Sequence, residues 1–145
     1  MNATRPGQIE SLSDAECVKL LRSHDLGRIA VVDREARPLI FPINYFFDEG
    51  VVVFRTAPGT KLDLVPGAYV SFEIDSWDPE QGLGWSVLVK GIARDITHPR
   101  GAPTGRMRSW PVQPVAPGSR EHWVGIWANE ITGRRFGSAA QRPTT

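Results

Sequence analysis

The amino-acid sequence predicts a mainly β fold, an antiparallel barrel of about six strands with a few short helices. Short runs of β-branched and aromatic residues recur along the chain, and residues 69–75 alternate apolar and polar side chains as a half-buried strand does. The 145 residues include 14 glycines and 12 prolines, which suits many strands joined by tight turns. Residues 13–23 have the apolar spacing of an amphipathic helix.

Composition and charge exclude several classes of protein. A length of 145 residues fits one domain, and no apolar stretch approaches the roughly 20 residues that cross a bilayer. The 17 Lys and Arg residues barely outnumber the 16 Asp and Glu residues, so neither a membrane nor nucleic acid is an expected partner. Cys17 is the only cysteine, which excludes an intramolecular disulfide and cysteine-rich zinc motifs. The start of the chain lacks an apolar secretory core, and a cytoplasmic location is expected.

The first element expected is a helix over residues 13–23. Ser13 and Glu16 have the spacing of a capping box, in which each side chain accepts a hydrogen bond from the other residue's backbone N–H. Apolar residues then recur at helical spacing, and Cys17 is expected to be a small core residue. Residues 1–11 are expected to be disordered before a domain that is assigned to residues 12–136.

Three strands are expected to follow in the first half of the chain. Residues 28–32 form the first, residues 38–47 the second and residues 51–55 the third. Pro42 interrupts the second strand and cannot donate a ladder hydrogen bond. It therefore predicts an edge, a bulge or a place where something other than a strand pairs with the backbone. Gly50 supplies the positive φ of a hairpin turn before the third strand.

The second half is expected to contain the remaining strands. They are residues 69–75, residues 85–97 with a bulge at Gly91, and residues 122–136 as one strand or a pair. Between the last two, residues 98–110 are expected to form a short helix, and residues 111–118, with three prolines, an extended linker. Residues 137–145 are small and polar and are expected to be disordered.

The chemically most informative pattern follows the third strand. It consists of Arg55, Thr56, Thr60 and Lys61, four polar side chains within seven positions. Guanidinium, ammonium and hydroxyl groups are donors suited to a phosphate. With Thr60 as the cap of a short helix over residues 61–64, free backbone N–H groups would add to the same anion site. The same residues also suit a solvated basic turn between a strand and a helix.

Four segments of the chain occur in an order known from one family. They are Arg37 and Pro38 leading to residues 42–45, residues 54–61, residues 85–91 and residues 131–134. Together they resemble the flavin-binding split-barrel superfamily that contains the pyridoxamine 5′-phosphate oxidase-like proteins. The resemblance covers residues 12–136 and is greatest for the small, single-domain actinobacterial-type members. It implies a split β-barrel and a homodimer that binds FMN in a groove between the subunits.

The resemblance also implies roles for individual residues. It assigns cofactor contacts to Pro42, Ile43, Asn44, Tyr45, Arg55, Thr56, Thr60, Lys61, Trp85, Ser86, Trp123 and Arg134. The four donors after the third strand would hold the FMN phosphate, and the backbone of residues 42–44 would lie along the isoalloxazine ring. Trp85 and Ser86 would line the opposite wall. Tyr45 and Trp85 would offer a planar acceptor an aromatic surface for stacking.

Two late residues have competing assignments within the resemblance. Trp123 and Arg134 correspond in order and approximate spacing to a Trp and an Arg that the oxidases contribute from the second subunit. Trp127 and Arg135 compete for the same roles, and both possibilities stay open. A tryptophan at either position also suits the packing of a dimer core.

Three functions are compatible with these observations. The first is an FMN-dependent oxidoreductase that reduces a small planar acceptor; the second is a non-catalytic protein that binds flavin or haem; the third is a reductase that uses the deazaflavin coenzyme. The positive charge of Arg55 and Lys61, without an extended basic groove, favours FMN. No close carboxylate pair, His cluster or Ser/His/Asp set is recognisable, so no metal site or catalytic residue is assigned. The chain also lacks the basic-apolar-proline ending of the oxidases proper, which argues against pyridoxamine phosphate as the substrate.

Overall fold

The computed structural model of the protein describes residues 7–97 and 122–137. The elements in these residues are β1 (Ile9–Ser11), α1 (Asp14–Ser23), β2 (Leu26–Val32), β3 (Pro38–Asn44), β4 (Phe46–Asp48), β5 (Val51–Thr56), α2 (Thr60–Leu64), β6 (Tyr69–Asp78), β7 (Leu83–Asp95) and β8 (His122–Gly137). The predicted helix over residues 98–110 and the predicted linker over residues 111–118 lie outside the described residues, as do the outermost parts of both predicted disordered ends.

The strands form one antiparallel sheet that curls into a half-barrel. Its order is β3-β2-β6-β7-β8-β5-β4, and β1 pairs with β8. β3 and β4 follow each other in the chain with only Tyr45 between them, yet they stand at opposite ends of this order. Because one residue joins the two end strands, the sheet has to curl. The predicted mainly β split barrel is confirmed, with eight described strands rather than about six.

Helix α1 begins with the predicted capping box. The backbone N–H of Glu16 donates to Ser13 Oγ at 3.2 Å, and the backbone N–H of Ser13 donates to Glu16 Oε2 at 2.9 Å. The helix buries Cys17 and Leu21 against the sheet. Burial raises the pKa of the Cys17 thiol, which makes it a poor nucleophile. The prediction that Cys17 is a core residue is confirmed.

Pro42 lies on an edge strand, as one of the predicted alternatives requires. It is opposite Arg28 of β2, and β3 stands at the end of the strand order, where a missing N–H is tolerated. The break in the predicted second strand comes three residues later, at Tyr45. The backbone N–H of Tyr45 donates to the carbonyl oxygen of Asp25 at 2.9 Å, so β3 ends there and β4 begins its pairing with β5.

The two longest strands, β7 and β8, carry the bulge that Gly91 predicts. Their register shifts between Lys90 and Gly91. A Cβ atom at residue 91 would lie 1.8 Å from the backbone oxygen of Trp127, so only glycine allows β8 to approach this closely. β8 is one continuous strand, which decides between the two alternatives left open for the last segment.

Three local expectations differ from the structure. Residues 9–11, expected to be disordered, form β1 because they pair with the end of β8, with Ile9 opposite Phe136. The same pairing extends β8 through Gly137, the first residue of the predicted disordered tail. Thr60 is not the cap of α2: Gly59 is, with φ at 150°, and no side chain caps the helix. Few side-chain-bearing residues adopt this backbone conformation, so glycine occupies the cap.

The two faces of the sheet differ in what covers them. The inner face carries the main core, in which residues such as Ile29, Phe54 and Phe72 pack beneath α1. The outer face carries a smaller cluster formed by Val51, Val53, Ile96, Trp123 and Trp127. Neither helix in the described part of the chain is long and apolar enough to span a membrane.

Candidate functional site

The predicted phosphate-binding residues lie where β5 ends and α2 begins. Arg55 is opposite Trp123 of β8, and its guanidinium carbon lies 5.2 Å from the centre of the Trp123 ring. Lys61 lies in α2, with its Nζ atom 5.8 Å from the ring centre of Phe41 on β3. Each basic side chain therefore rests on an aromatic ring. Arg55 lies towards β8 and Lys61 towards β3.

Of the two predicted threonines, only Thr60 is exposed. Thr56 is 1% exposed, and its hydroxyl donates to the carbonyl oxygen of Ala57 at 3.1 Å. Because side chains alternate along β5, Thr56 points to the face opposite to Arg55. The structure therefore places the Thr56 hydroxyl away from the face that carries Arg55, and the role of Thr56 in phosphate binding stays a prediction.

The segment predicted to line the ring alternates between the two faces. Pro42 and Asn44 point outward, whereas Ile43 and Tyr45 are buried in the main core. The Tyr45 hydroxyl donates to the carbonyl oxygen of Leu21 at 2.7 Å, and burial raises the tyrosine's pKa. One backbone edge of β3 has no strand partner in the described part of the chain. A ligand can pair with that edge, but Tyr45 cannot form the predicted aromatic surface.

Trp85 and Ser86 are neighbours on β7 and therefore point to opposite faces. Trp85 packs against the main core, and its ring centre lies 4.9 Å from that of His24 in an edge-to-face contact. Ser86 lies on the outer face, opposite Arg134 of β8. Only Ser86 shares the outer face with the outward residues of β3, and the cofactor contacts of Trp85 and Ser86 stay predictions.

Trp123 and Arg134 lie near opposite ends of β8. Arg134 is eleven residues further along the strand, which at ~3.3 Å per residue puts ~35 Å of strand between them. Arg134 lies on the outer face, whereas the Nη2 atom of Arg135 lies 3.9 Å from Glu16 Oε1 on α1. Trp127 and Trp123 both belong to the outer cluster, so the alternative between them stays open.

A depression of about 410 Å³ opens on the outer face across β6, β7 and β8. It is lined by Glu73, Ser86, Leu88, Thr132, Gly133 and Arg134. The strand register explains why these residues lie together: Leu88 is opposite both Glu73 and Thr132, and Ser86 is opposite Arg134. Residues directly opposite on antiparallel strands share a face. This outer-face depression contains two of the predicted cofactor residues, Ser86 and Arg134.

Glu73 is the member of the outer-face depression with an unusual charge state. Burial and, after it, the hydrogen bond and the charge of Asp75 together raise the pKa of its carboxyl to about 7. Arg28 opposes the shift, since its Nη1 atom lies 3.5 Å from Glu73 Oε1 and 3.5 Å from Asp75 Oδ2. Burial and the neighbouring Asp75 therefore favour the neutral form of the Glu73 carboxyl group, and Arg28 favours its ionised form.

The sequence contains one signal for Glu73 that was not used. Glu73 and Asp75 are two positions apart on a predicted strand, and alternate residues of a strand share a face, so two carboxyl groups side by side could have been expected. Arg28 could not have been added to them, because it lies 45 residues before Glu73. The pairing of β2 with β6 that joins them is a property of the fold.

A second depression, of about 460 Å³, lies between α2 and the turn that joins β2 to β3. It is lined by Asp33, Arg34, Glu35, Arg37, Thr60, Asp63 and Leu64. The three carboxylates outnumber the two guanidinium groups, and Arg37 pairs with Glu35 at 2.6 Å. This surface therefore adds no net positive charge beside Thr60. Within the described residues, no group of three or more His, Cys, Asp or Glu side chains could hold a metal ion.

The chain is similar in sequence to known proteins over most of its length. The family model of pyridoxamine 5′-phosphate oxidase matches residues 13–135. An uncharacterized protein of Mycobacterium tuberculosis (strain ATCC 25618 / H37Rv) is 35% identical over 98 residues, which are 63% of this chain and 64% of that protein. The match therefore spans less than two thirds of the length of that relative.

Solved structures share the fold as well as part of the sequence. The FAD binding protein from Mycobacterium smegmatis is 36% identical, with a TM-score of 0.66, and the match covers 89% of this chain and 99% of that one. A conserved protein of unknown function from Corynebacterium diphtheriae is 30% identical, with a TM-score of 0.70, over 88% of this chain and 98% of that one. The similarity extends to nearly the whole of both proteins.

Proposed function

Since the chain belongs to the pyridoxamine 5′-phosphate oxidase family, we propose that it is a flavoprotein with FMN as its cofactor and that it acts as an oxidoreductase on a small planar acceptor. The observation that carries the proposal is the placement of Arg55 and Lys61, in a chain 36% identical to a FAD binding protein. When bound, a flavin supplies the electron-transfer chemistry, and the chain supplies binding, orientation and charge.

The donors and acceptors present fit a flavin nucleotide. Arg55 and Lys61 carry the two positive charges suited to a phosphate group. The open backbone edge of β3 suits the polar edge of a planar ring, and the side chain of Asn44 on the same strand offers both a donor and an acceptor. Its Nδ2 atom donates to the carbonyl oxygen of Asp25 at 3.2 Å, and its amide oxygen is the acceptor that the side chain could offer a ligand.

The distance along β8 supports a homodimer as part of the proposal. Trp123, beside Arg55, and Arg134, beside Ser86, are separated by ~35 Å of strand, which is longer than an FMN molecule. If both ends of β8 contact one cofactor, the two residues must come from different copies of the chain. A second copy of the chain would therefore supply residues that the cofactor site lacks in a single copy.

An exposed apolar stripe on the outer face supports the same homodimer. It runs across four adjacent strands and consists of Ile40, Val32, Tyr69 and Ile92, which are 67%, 57%, 58% and 39% exposed. Tyr69 is directly opposite Ile92, and Ile40 is opposite Ala30 of β2, two residues from Val32. Contiguous exposed apolar surface of this kind is typical of a protein–protein contact, and a second copy is its proposed occupant.

FAD is a second candidate cofactor, favoured by one feature of the structure. The second depression is lined by Thr60 together with Arg34 and Arg37, where the second phosphate of a dinucleotide could lie. The three carboxylates of that depression weigh against a strongly anionic tail. FMN therefore remains the first candidate.

The absorption spectrum of the purified protein and the identity of its released cofactor test the flavin proposal. The expected result is the spectrum of oxidised flavin, with FMN released on denaturation. Released FAD would favour the second candidate. A Soret band would indicate haem, and a protein that stays colourless and binds neither FMN nor FAD would contradict the proposal.

Activity is tested separately from binding. The flavin-loaded protein is reduced anaerobically and mixed with menadione, a small planar quinone, in a stopped-flow instrument. An oxidoreductase is expected to be reoxidised by menadione faster than by dissolved oxygen alone. Because Tyr45 and Trp85 are packed into the core, the acceptor would not stack on them. Reoxidation no faster than by oxygen would indicate a binding protein.

A further inference from the structure

We propose that the exposed indole ring of Trp77, stacked against Phe136 on the outer face, is the surface on which the small planar acceptor packs. The inference rests on the proposed oxidoreductase function and adds the acceptor site to it, beside the cofactor contacts proposed for Ser86 and Arg134. The chemical class that this site takes is a neutral, electron-poor aromatic ring, such as a quinone or a nitroaromatic compound.

The site is built on an apolar row that crosses four strands at one end of the sheet. Ile9 on β1 is opposite Phe136 on β8. Phe136 is in turn opposite Gly84 on β7, which is opposite Trp77 on β6. Residues directly opposite each other share a face, and Trp77 points outward because Ile74, three positions earlier, points into the main core. These four opposed residues form an aromatic row on the outer face.

Gly84 allows the two rings of the aromatic row to meet. The ring centres of Trp77 and Phe136 lie 5.9 Å apart, and the ring planes are inclined by only 17° in a stacked arrangement. A Cβ atom at residue 84 would lie 2.5 Å from Cε2 of Phe136, so a side chain here would push the phenyl ring out of the stack. The two rings therefore meet above the glycine and hold each other in place.

The turn that follows Trp77 fixes the backbone beneath the indole ring. The backbone N–H groups of Glu80 and Gln81 donate to Asp78 Oδ1 at 2.9 and 3.2 Å. The backbone N–H of Gly82 donates to the carbonyl oxygen of Asp78 at 2.8 Å. A molecule that packs on Trp77 therefore meets a side chain that is already ordered, which lowers the entropic cost of binding.

The exposure of Trp77 distinguishes it from the other tryptophans. Among the four that lie in residues 7–97 and 122–137, Trp77 alone is exposed, at 51%. The face of an aromatic ring carries the negative part of its quadrupole. An open indole face therefore attracts a ring whose carbonyl or nitro groups withdraw electrons.

The size of the aromatic row fits a small molecule better than a protein partner. Ile9 is 69% exposed and Trp77 51%, whereas Phe136 is largely covered. A fully covered aromatic side chain buries ~150–250 Å², so the row offers on the order of 300 Å². A stable protein interface takes ~800 Å² from each partner. The proposed seat of the second copy is also distant, because Tyr69 of the apolar stripe lies eight positions earlier on β6.

The aromatic row lies directly beside the residues proposed to contact the flavin. Ser86 is opposite Arg134, and both are two positions from the row on their strands, β7 and β8. Alternate residues on one face of a strand are ~7 Å apart. An acceptor on Trp77 therefore lies within about one ring width of a flavin that contacts Ser86 or Arg134, as electron transfer between two planar molecules requires.

The test uses the full chain loaded with oxidised FMN, and menadione is the probe. Without a reductant there is no turnover, so calorimetry measures the dissociation constant of menadione alone. We expect Trp77→Leu to bind menadione about threefold to tenfold more weakly, because leucine keeps an apolar side chain but has no ring. Trp77→Phe should recover most of the affinity.

A control variant and a kinetic measurement separate this role from a merely structural one. Leu83→Ala removes an exposed apolar side chain from the same hairpin on the opposite face, and it should bind menadione as the wild type does. In stopped-flow reoxidation, Trp77→Leu should raise the menadione concentration that gives half the limiting rate by the same factor. The limiting rate, the FMN affinity and the sedimentation of the dimer should stay unchanged.

The outcomes distinguish this inference from the proposed function. If the FMN-loaded wild type does not bind menadione, or if Trp77→Leu binds it as tightly as the wild type does, the role of Trp77 is wrong and the flavin proposal stands. Loss of the dimer in Trp77→Leu would make the aromatic row an interface and would also overturn the inference. If the wild type binds no flavin, the proposed function fails and the inference fails with it.

Discussion

Arg55 and Lys61 are the two basic residues that we propose to bind a phosphate group. Each has a long side chain that would be costly to order on binding, and each already lies over an aromatic ring, that of Trp123 or Phe41. A contact of this kind is worth ~0.5–1 kcal/mol at an exposed position. The ring contact therefore already restricts each side chain, so less conformational entropy would be lost when a phosphate binds.

We predict that Arg55→Ala and Lys61→Ala each weaken FMN binding. Loss of a charge-assisted hydrogen bond of ~1.5–3 kcal/mol corresponds to a rise of about tenfold to a hundredfold in the dissociation constant. Riboflavin lacks the phosphate, so its affinity should change little. Fluorescence titration of both ligands measures the difference.

Arg94→Ala is the matched control for this pair. The guanidinium carbon of Arg94 lies 5.7 Å from the ring centre of Trp127, so the variant removes a similar cation–ring contact outside the predicted phosphate site. FMN affinity should be unchanged. Equal losses of FMN and riboflavin in the Arg55 and Lys61 variants would rule out the phosphate assignment.

At this scale the sequence could identify residue types but not the direction in which a side chain points. Arg55, Lys61 and Ser86 were selected from their residue types. Thr56, Tyr45 and Trp85 were selected in the same way, but their side chains turn inward. Their neighbours in sequence point outward, and the choice between the two faces depends on which face the helix α1 covers. That information is not local.

Gly91 is the residue on which the pairing of β7 with β8 depends. It stands at the register shift, where a Cβ atom would lie 1.8 Å from the backbone oxygen of Trp127. That oxygen is part of the sheet and cannot rotate away as a side chain could. Any other residue would have to push the two longest strands apart.

We predict that Gly91→Ala lowers the free energy of unfolding by about 3 kcal/mol. Thermal unfolding should show a fall in Tm of roughly 10 °C for a chain of this length. The control is Gly50→Ala in the turn before β5, where φ is 78° and no atom lies within 4 Å of the added Cβ. It should lose only about 1 kcal/mol, from backbone strain alone. Equal losses in the two variants would contradict the packing argument.

Elements with a strong local signal could be predicted, and elements that depend on distant partners could not. The capping box predicted α1, and the Gly91 bulge followed from one glycine in a long strand. β1 has three residues and exists only because it pairs with the distant end of β8, where Ile9 is opposite Phe136. The sequence predicted β3 and β4 as a single strand, because the break at Tyr45 depends on a hydrogen bond to Asp25.

In a single copy of the chain, the candidate cofactor residues form two groups that lie too far apart along β8 to contact the same FMN molecule. Arg55 and Trp123 lie near the start of β8, and Ser86 and Arg134 near its end. The barrel type could be predicted from the number and spacing of strands. The separation of the two groups could not, because it follows from β8 being one continuous strand rather than two.

We predict that Ile40→Glu disrupts the homodimer. Ile40 is 67% exposed on the apolar stripe of the outer face, and a charge there would have to be buried without a partner in the interface. The matched control is Ile9→Glu, which changes the same residue type at 69% exposure on β1. Sedimentation should show monomer for the first variant and dimer for the second, and a dimeric Ile40→Glu would rule out this face as the interface.

The central claim is that two copies of the chain together bind one flavin at each shared site, and sedimentation of the FMN-loaded wild type tests it most directly. The boundary is followed both by protein absorbance and by flavin absorbance. The account predicts that the flavin sediments only with the dimer, at one FMN per chain, and that Ile40→Glu loses the dimer and the flavin together. Flavin that sediments with a monomer, or that stays behind the protein boundary, would contradict it.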